Sequence, residues 1–396
     1  MAGSRGQPLP LHALRQHDAQ DQGAPAAAGA RAPVVGSRAR RWWLSAVVLA
    51  GVLLCGSAPA LAEASPCSRP SGEALRDAHW RVDGPHHPLL GQVLNGTTPL
   101  AVETGPCTRT PLQQLTAEIW RTIRAGGVVL LGEAHDNPEH HLVRADLLRP
   151  QMERVAPAKG LLPAAVFEHI RADQQERVAH FYEQAARGRR LFTASDLLLA
   201  LGWKESGWPA AEIFYPLYNA ALRAKLPILA GDPPRDRIKA LARGDRSLLQ
   251  EGDLALVTLG EALPQPLVDA LTTELVSSHC GAMPASAFGG MNLAQRYRDA
   301  HLAAALLKAA ERHGAAFLLA GNGHVRTDRG VPWYVRQMAP GRKVLSVMLV
   351  EVEEGKTDAS AYARVDGAGM PAADYILFTP RHVRTDPCEK MRRGKQ

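Results

Sequence analysis

Five short apolar runs in this chain each stop at an acidic or imidazole residue. That repetition constrains the fold more than any other feature. Val128–Leu131 leads into Gly132-Glu133-Ala134-His135, Ala164–Phe167 into Glu168-His169, and Pro227–Ala230 into Gly231-Asp232. Ala316–Ala320 leads into Gly321-Asn322-Gly323-His324, and Val344–Val350 into Glu351. Short apolar runs bounded by turn residues read as strands buried on both faces. Between them the apolar spacing is helical: Leu112, Leu115, Ile119 and Ile123 mark a helix over Thr110–Ala125, and further helices are expected over about 138–155, 172–186 and 292–313. Strands alternating with helices predict a mainly parallel sheet covered on both faces, a three-layer α/β/α fold. Parallel strands place their carboxyl ends on one rim. Glu133, His135, Glu168, Asp232 and His324 are therefore expected to converge in the crevice where open α/β sheets bind ligands. Tyr375–Phe378 reads as a late edge strand.

That convergence has chemical consequences. Glu133 and Glu168 with His135 and His324 could ligate a divalent metal ion or share proton-transfer work. In the blander alternative Glu168 and Asp232 pair with nearby arginines, while Asp136 and Asn137 only cap the helix that opens at Pro138. A second informative stretch is Leu201–Leu226. The chain has 21 Phe, Trp and Tyr residues, and five of them (Trp203, Trp208, Phe214, Tyr215 and Tyr218) fall within it. Its Gly/Pro punctuation reads as partly loop. Clustered aromatics there suit a flat apolar ligand or a lid, or else a local hydrophobic core. Tyr215 or Tyr218 as phenolate ligand to ferric haem is chemically allowed. His279, Met283 and His301 form a third group of ligand-type residues, to be weighed against core and surface roles. No glycine-rich phosphate loop and no Gly-x-Ser-x-Gly elbow is present, which removes most of the weight from nucleotide-binding and serine-hydrolase readings.

Net charge is +7 over 396 residues, but residues 1–62 and 381–396 each carry +4, leaving −1 for the rest. A nucleic-acid domain carries its basic stripe on the fold, so that class is set aside. Arg38, Arg40 and Arg41 precede the apolar run Trp42–Leu54, and Ala60-Leu61-Ala62 follows as a cleavage site. This reads as a signal peptide with the mature start near Glu63, and Arg40-Arg41-Trp42-Trp43-Leu44 also fits a twin-arginine route. Export to the periplasm or beyond is expected. Leu54 stands before Cys55 where lipoprotein processing wants a small residue, so a membrane anchor is disfavoured. The four remaining cysteines, Cys67, Cys107, Cys280 and Cys388, allow three disulfide pairings, of which Cys67–Cys107 with Cys280–Cys388 is the expected one. The chain thus divides into a leader (1–62), an irregular lead-in (63–110), the α/β domain (111–352) and a polar segment with a basic tail (353–396).

Several blocks together resemble one family. They are Gly132-Glu133-Ala134-His135-Asp136-Asn137-Pro138-Glu139-His140-His141, Phe167-Glu168, Gly202-Trp203 to Gly207-Trp208-Pro209, and Tyr215-Pro216-Leu217. Further along stand Ala294-Gln295 with Arg298-Asp299-Ala300, and Gly321-Asn322-Gly323-His324-Val325-Arg326 with Asp328-Arg329-Gly330-Val331-Pro332. Over about 115–350 the chain resembles the ChaN family of exported haem-binding proteins, in the haem-binding uptake/Tiki superfamily. The resemblance implies an EreA/ChaN-like α/β/α fold, haem as cofactor, a role in haem or iron acquisition, and a homodimer closing over haem. It implies a tyrosine as iron ligand, with Tyr215 the first candidate and Tyr218 behind it. Lys204 and His135 are candidates for propionate contacts, and Trp203 and Trp208 for the macrocycle. The wider superfamily includes metal-dependent hydrolases. It keeps alive a site in which Glu133, His135, Glu168 and His324 hold a divalent ion, with Glu133 or Glu168 doing catalytic work.

Overall fold

The computed structural model describes residues 87–104, 109–153, 162–188, 192–363, 370–385 and 388. The leader, the signal segment, Cys67 and Cys107 lie outside the described residues.

The described residues open with a hairpin, β1 (Val93–Asn95) and β2 (Thr98–Pro99), followed by α1 (Pro111–Arg124), β3 (Val128–Leu131) and α2 (Pro138–Glu153). Then come β4 (Ala164–Arg171), α3 (Gln175–Arg187), α4 (Ala194–Ala200), α5 (Ala211–Arg223), β5 (Ile228–Asp232), α6 (Arg235–Ala242), α7 (Glu251–Glu261) and α8 (Gln265–Ser278). The 25-residue α9 (Gly289–His313), β6 (Ala316–Leu319), α10 (Val331–Met338), β7 (Val344–Glu351) and β8 (Tyr375–Thr379) complete it.

The eight strands form one sheet in the order β2-β1-β8-β7-β3-β6-β4-β5. Strands β3 to β8 run parallel, and the β1–β2 hairpin supplies the antiparallel pairings. Alternation along each strand fills two cores. Val129 and Leu131 of β3, with Ala165 and Phe167 of β4, pack against α1, α2, α4 and α5. Val128, Leu130, Ala164 and Val166 face the opposite way, toward α9 and α10. This is the three-layer arrangement expected from the strand–helix alternation.

Local sequence explains the element ends nearest the site. Thr110 and Gln113 form a reciprocal capping box ahead of Pro111, and Leu112, Leu115, Ile119 and Ile123 of α1 enter the core. Asn137 caps α2, its Oδ1 accepting the Glu139 N–H at 2.9 Å.

Two expectations change. Tyr375–Thr379 is an interior strand, because the hairpin at 93–99 pairs with its outer side. The sheet therefore extends beyond 111–352 in both directions. The stretch after Leu201 is less open than its Gly/Pro content suggests. Trp203–Glu205 is a short 3₁₀ turn, and α5 continues through Pro216. The hydrogen bond lost at Pro216 is offset by burying Phe214, Leu217 and Tyr218. Among the described residues no single helix is long and apolar enough to cross a membrane.

Candidate functional site

The carboxyl rim gathers the expected residues but sorts them into two clusters. Glu133, just past β3, is 2% exposed. Its Oε1 accepts from His135 Nδ1 at 2.7 Å and from His169 Nε2 at 2.8 Å. On its other oxygen lie the Arg144 guanidinium and, at 3.2 Å, His141 Nδ1. Both of these come from α2, one helical turn apart and facing the sheet. His141 donates Nε2–H to the His135 carbonyl at 3.0 Å and accepts from Arg144 at 2.9 Å, and burial holds its pKa down near 3. It is a neutral spacer that fixes the His135 backbone. The preceding residue, His140, fixes the backbone in the same way, accepting the Ala134 N–H at 2.7 Å and meeting Thr379 Oγ1 at 2.8 Å.

His135 differs from its neighbours in being open, with 37% of its side chain exposed. Burial nevertheless lowers its pKa below the ordinary value, outweighing the opposing pull of Glu168. With Nδ1–H tied to Glu133, the ring is held neutral in one tautomer with a lone pair on Nε2. Trp208 packs edge-on to it at 4.8 Å. Gly321 is required beneath the ring, since a Cβ there would meet His135 Cε1 at 2.7 Å. His169 is buried, in edge contact with Trp208 and Phe214, and its Nδ1 has no partner. Burial holds its pKa well below the usual histidine value. Glu133, His135 and His169 each offer one ligand atom, all within 4.8 Å of one another, so this trio could hold a divalent cation.

The second cluster surrounds Glu168, at the end of the paired part of β4. Its Oε1 accepts from Arg298 at 2.8 Å and lies 3.1 Å from His324 Nε2, and its Oε2 accepts the Gly321 N–H at 2.7 Å. Arg298, from α9, also forks onto Asp232 at 2.8 and 3.1 Å. His324 places its other nitrogen 2.6 Å from Asp299. Burial opposes charge on His324, but the Glu168 and Asp299 carboxylates outweigh it and raise its pKa to about 10. Burial alone would raise the Glu168 carboxyl. His324, His135 and Arg298 instead hold it well below the usual range.

The expected quartet is thus split. Glu133 and His135 belong to one cluster, Glu168 and His324 to the other, and 4.0 Å separates His135 Nε2 from Glu168 Oε1. Both His324 nitrogens face carboxylates, Asp299 at 2.6 Å and Glu168 at 3.1 Å. Tyr218 is fully buried and stacked on Phe167 at 4.4 Å, beneath the rim. Tyr215 donates its hydroxyl to Ser195 Oγ at 3.2 Å, at the start of α4. The Tyr218 hydroxyl is buried without a hydrogen-bond partner. Trp203 is buried with its N–H on the Pro209 carbonyl (2.8 Å) and its ring against Phe214, and Lys204 is exposed on the adjoining turn. His279 caps α8 through the Leu275 carbonyl, His301 bonds the Gly231 carbonyl, and Met283 is exposed. None of these three joins the cluster. His169, Arg144, His141, Arg298 and Asp299 complete the two clusters, and sequence reasoning gave them no roles. The three-residue spacing of His141 and Arg144 was the available signal.

The chain is a mainly parallel α/β sheet with an imidazole–carboxylate cluster at its carboxyl rim, the edge where such sheets bind ligands. The family model described as haem-binding uptake, Tiki superfamily, ChaN matches residues 119–335, and the chain belongs to that family. The fold is similar to that of the solved structure described as cofacial haem binding to ChaN of Campylobacter jejuni. That match has 17% identity and a TM-score of 0.51, and covers 72% of this chain and 95% of that one. The type III effector HopBA1 also aligns, with 14% identity and a TM-score of 0.34 over 73% of this chain and 100% of that one. No curated protein matches the sequence.

Proposed function

We propose that this protein binds haem at the carboxyl rim of its sheet, with His135 as the iron ligand and Trp208 beside the macrocycle, and that it serves haem or iron handling outside the cytoplasm. The observation that carries the reading is His135 itself. It is an open, neutral imidazole whose Nδ1–H is held at 2.7 Å by a buried carboxylate, inside the segment that the haem-binding family model matches. A carboxylate behind a histidine fixes its tautomer and raises its basicity toward a metal. Haem supplies an iron that takes an axial donor and a flat apolar surface that needs contact; His135 and Trp208 fit those two demands. The tyrosine ligand implied by the resemblance finds less support, since Tyr218 is enclosed in the core and Tyr215 is turned to Ser195.

Export is part of the proposal. Its support is the signal-type leader and the Cys280–Cys388 disulfide, which suits an oxidising compartment. A metal-dependent hydrolase is less well supported. The expected set of Glu133, His135, Glu168 and His324 would need Glu168 and His324 free for a metal or a proton, and both are engaged by Arg298, Asp299, Gly321 or each other. The test is a ferric haem titration followed by visible absorption. Saturable binding that is lost in His135→Ala and kept in Tyr215→Phe supports the reading. Binding lost in Tyr215→Phe and kept in His135→Ala contradicts the ligand, and no saturable binding contradicts the function.

A further inference from the structure

The chain that leaves β8 crosses the rim beside His135. The Pro380 carbonyl accepts from Asn137 Nδ2 at 3.1 Å, and the His382 N–H reaches Glu351, the last residue of β7, at 3.3 Å. Arg384 then forks onto two carboxylates. It donates to the two oxygens of Asp136 at 2.7 and 2.8 Å and to both oxygens of Glu351 at 2.7 Å. Asp136 adjoins His135 in the chain, so this fork grips the outer side of the loop whose inner side is held by His140 and His141. Val383, between the His382 and Arg384 contacts, is 92% exposed, so polar bonds rather than apolar packing hold this segment down.

Those polar bonds stand partly in water. Arg384 and Asp136 keep 29% and 46% of their side chains exposed, and ion pairs of that kind contribute little alone. Four residues past Arg384 the segment gains a covalent end, where Cys388 is joined to Cys280, just beyond the end of α8. Helix α8 is itself lightly packed, with Leu271 alone buried, and it is fastened by polar ties. Glu274 pairs with Arg329 in the turn after His324, and Asn292 bonds the Val268 carbonyl at 3.0 Å and Thr272 Oγ1 at 2.9 Å. The disulfide thus links two weakly anchored pieces, the segment beside His135 and the helix beside the His324 turn. A link of that kind raises the effective concentration of each contact it brings together.

We infer that Pro380–Thr385 is a redox-controlled strap latched at Cys388, and that Arg384 is a positioning residue that holds His135 through Asp136. The inference rests on the haem reading above and adds how the hold on haem is regulated. With the disulfide closed the strap stays down, and the His135 loop keeps the geometry that meets the iron. A dithiol reductant opens the latch. Its two thiols give up two electrons and two protons and become a disulfide, and Cys280 and Cys388 are left as thiols. The partly exposed Arg384 fork must then hold the strap unaided, the His135 loop loosens, and haem leaves faster.

The test follows the transfer of ferric haem from the full chain to excess apomyoglobin. The wild type is compared oxidised and after reduction by dithiothreitol, with the reductant removed in oxygen-free buffer before haem is added. Reduction speeds haem loss about tenfold, the low end of the effect of groups one step removed from a metal ligand. Cys280→Ser with Cys388→Ser loses haem at that faster rate with or without the reductant. Arg384→Ala loses it about as fast with the disulfide intact, while its urea midpoint stays that of the wild type, a split that a merely structural role would not give. Combining all of these substitutions speeds the loss no further, because latch and fork act as one unit. Haem loss that is unchanged by reduction, by the serine pair or by Arg384→Ala, or effects that multiply when combined, overturn the strap and leave the haem reading standing. A wild type that holds no haem overturns the parent reading and the strap with it.

Discussion

Glu133 and Glu168 sit at the ends of nearby strands on one sheet rim, and both are almost wholly buried, at 2% and 1% exposure. Their surroundings divide them. Glu168 is neutralised by the Arg298 fork, a protonated His324 and a backbone N–H. These contacts tie β4, α9 and the turn after β6 together, so the cluster acts as a clamp. Glu133 has Arg144 on one oxygen and two neutral imidazoles on the other. One imidazole is open to solvent and the other has an unpartnered nitrogen. The same residue type on the same rim is thus enclosed by cations at Glu168 and joined to an open imidazole at Glu133, the difference on which the proposed haem site rests.

The comparison can be broken most severely at Arg298. Arg298→Ala leaves Glu168 and Asp232 as buried carboxylates without their shared partner and is expected to cost about 3–5 kcal/mol in urea unfolding. A loss within about 1 kcal/mol would deny the clamp. His324→Gln should cost less, about 2 kcal/mol at neutral pH, and should change the pH profile. The His324 pKa is raised from 6.5 to about 10, so its contribution is complete below 6.5 and is lost as pH climbs toward 10. His140 and His141 are held neutral near 3, and Glu168 is held low, so the acid side falls for separate reasons. The substitution should flatten the alkaline limb and, because His324 helps hold the Glu168 carboxyl low, should also move the acid loss to higher pH. Gly321→Ala presses a Cβ against the His135 ring and should cost about 1–2 kcal/mol while weakening haem binding. His135→Ala should leave stability within about 1 kcal/mol, because the side chain is 37% exposed, yet abolish specific haem binding.

Much of this was legible in the sequence because parallel strands convert a local pattern into a shared edge. Apolar runs ending in Glu133, Glu168, Asp232 and His324 needed only that rule to meet. What was not legible came from the helices. Arg144 and Arg298 enter from opposite faces of the sheet, and no spacing along the strands says which carboxylate each will choose. His169 stood one residue past Glu168, and only the turn of β4 toward Glu133 gives it a role. Tyr375–Thr379 read as an edge strand because pairing with residues 93–99 is not written in either segment alone. The aromatic stretch was read as partly open because Gly and Pro punctuate it, whereas Trp203, Phe214 and Tyr218 satisfy the core first.

The most direct measurement is pulsed EPR of the ferric haem complex, looking for the hyperfine coupling of an axial imidazole nitrogen beside the pyrrole nitrogens. The account expects that coupling in the wild type and in Tyr215→Phe, and its loss in His135→Ala. A complex with no axial imidazole nitrogen, or one whose coupling survives in His135→Ala, would contradict the assignment of the Glu133 cluster as the haem-receiving half of the rim.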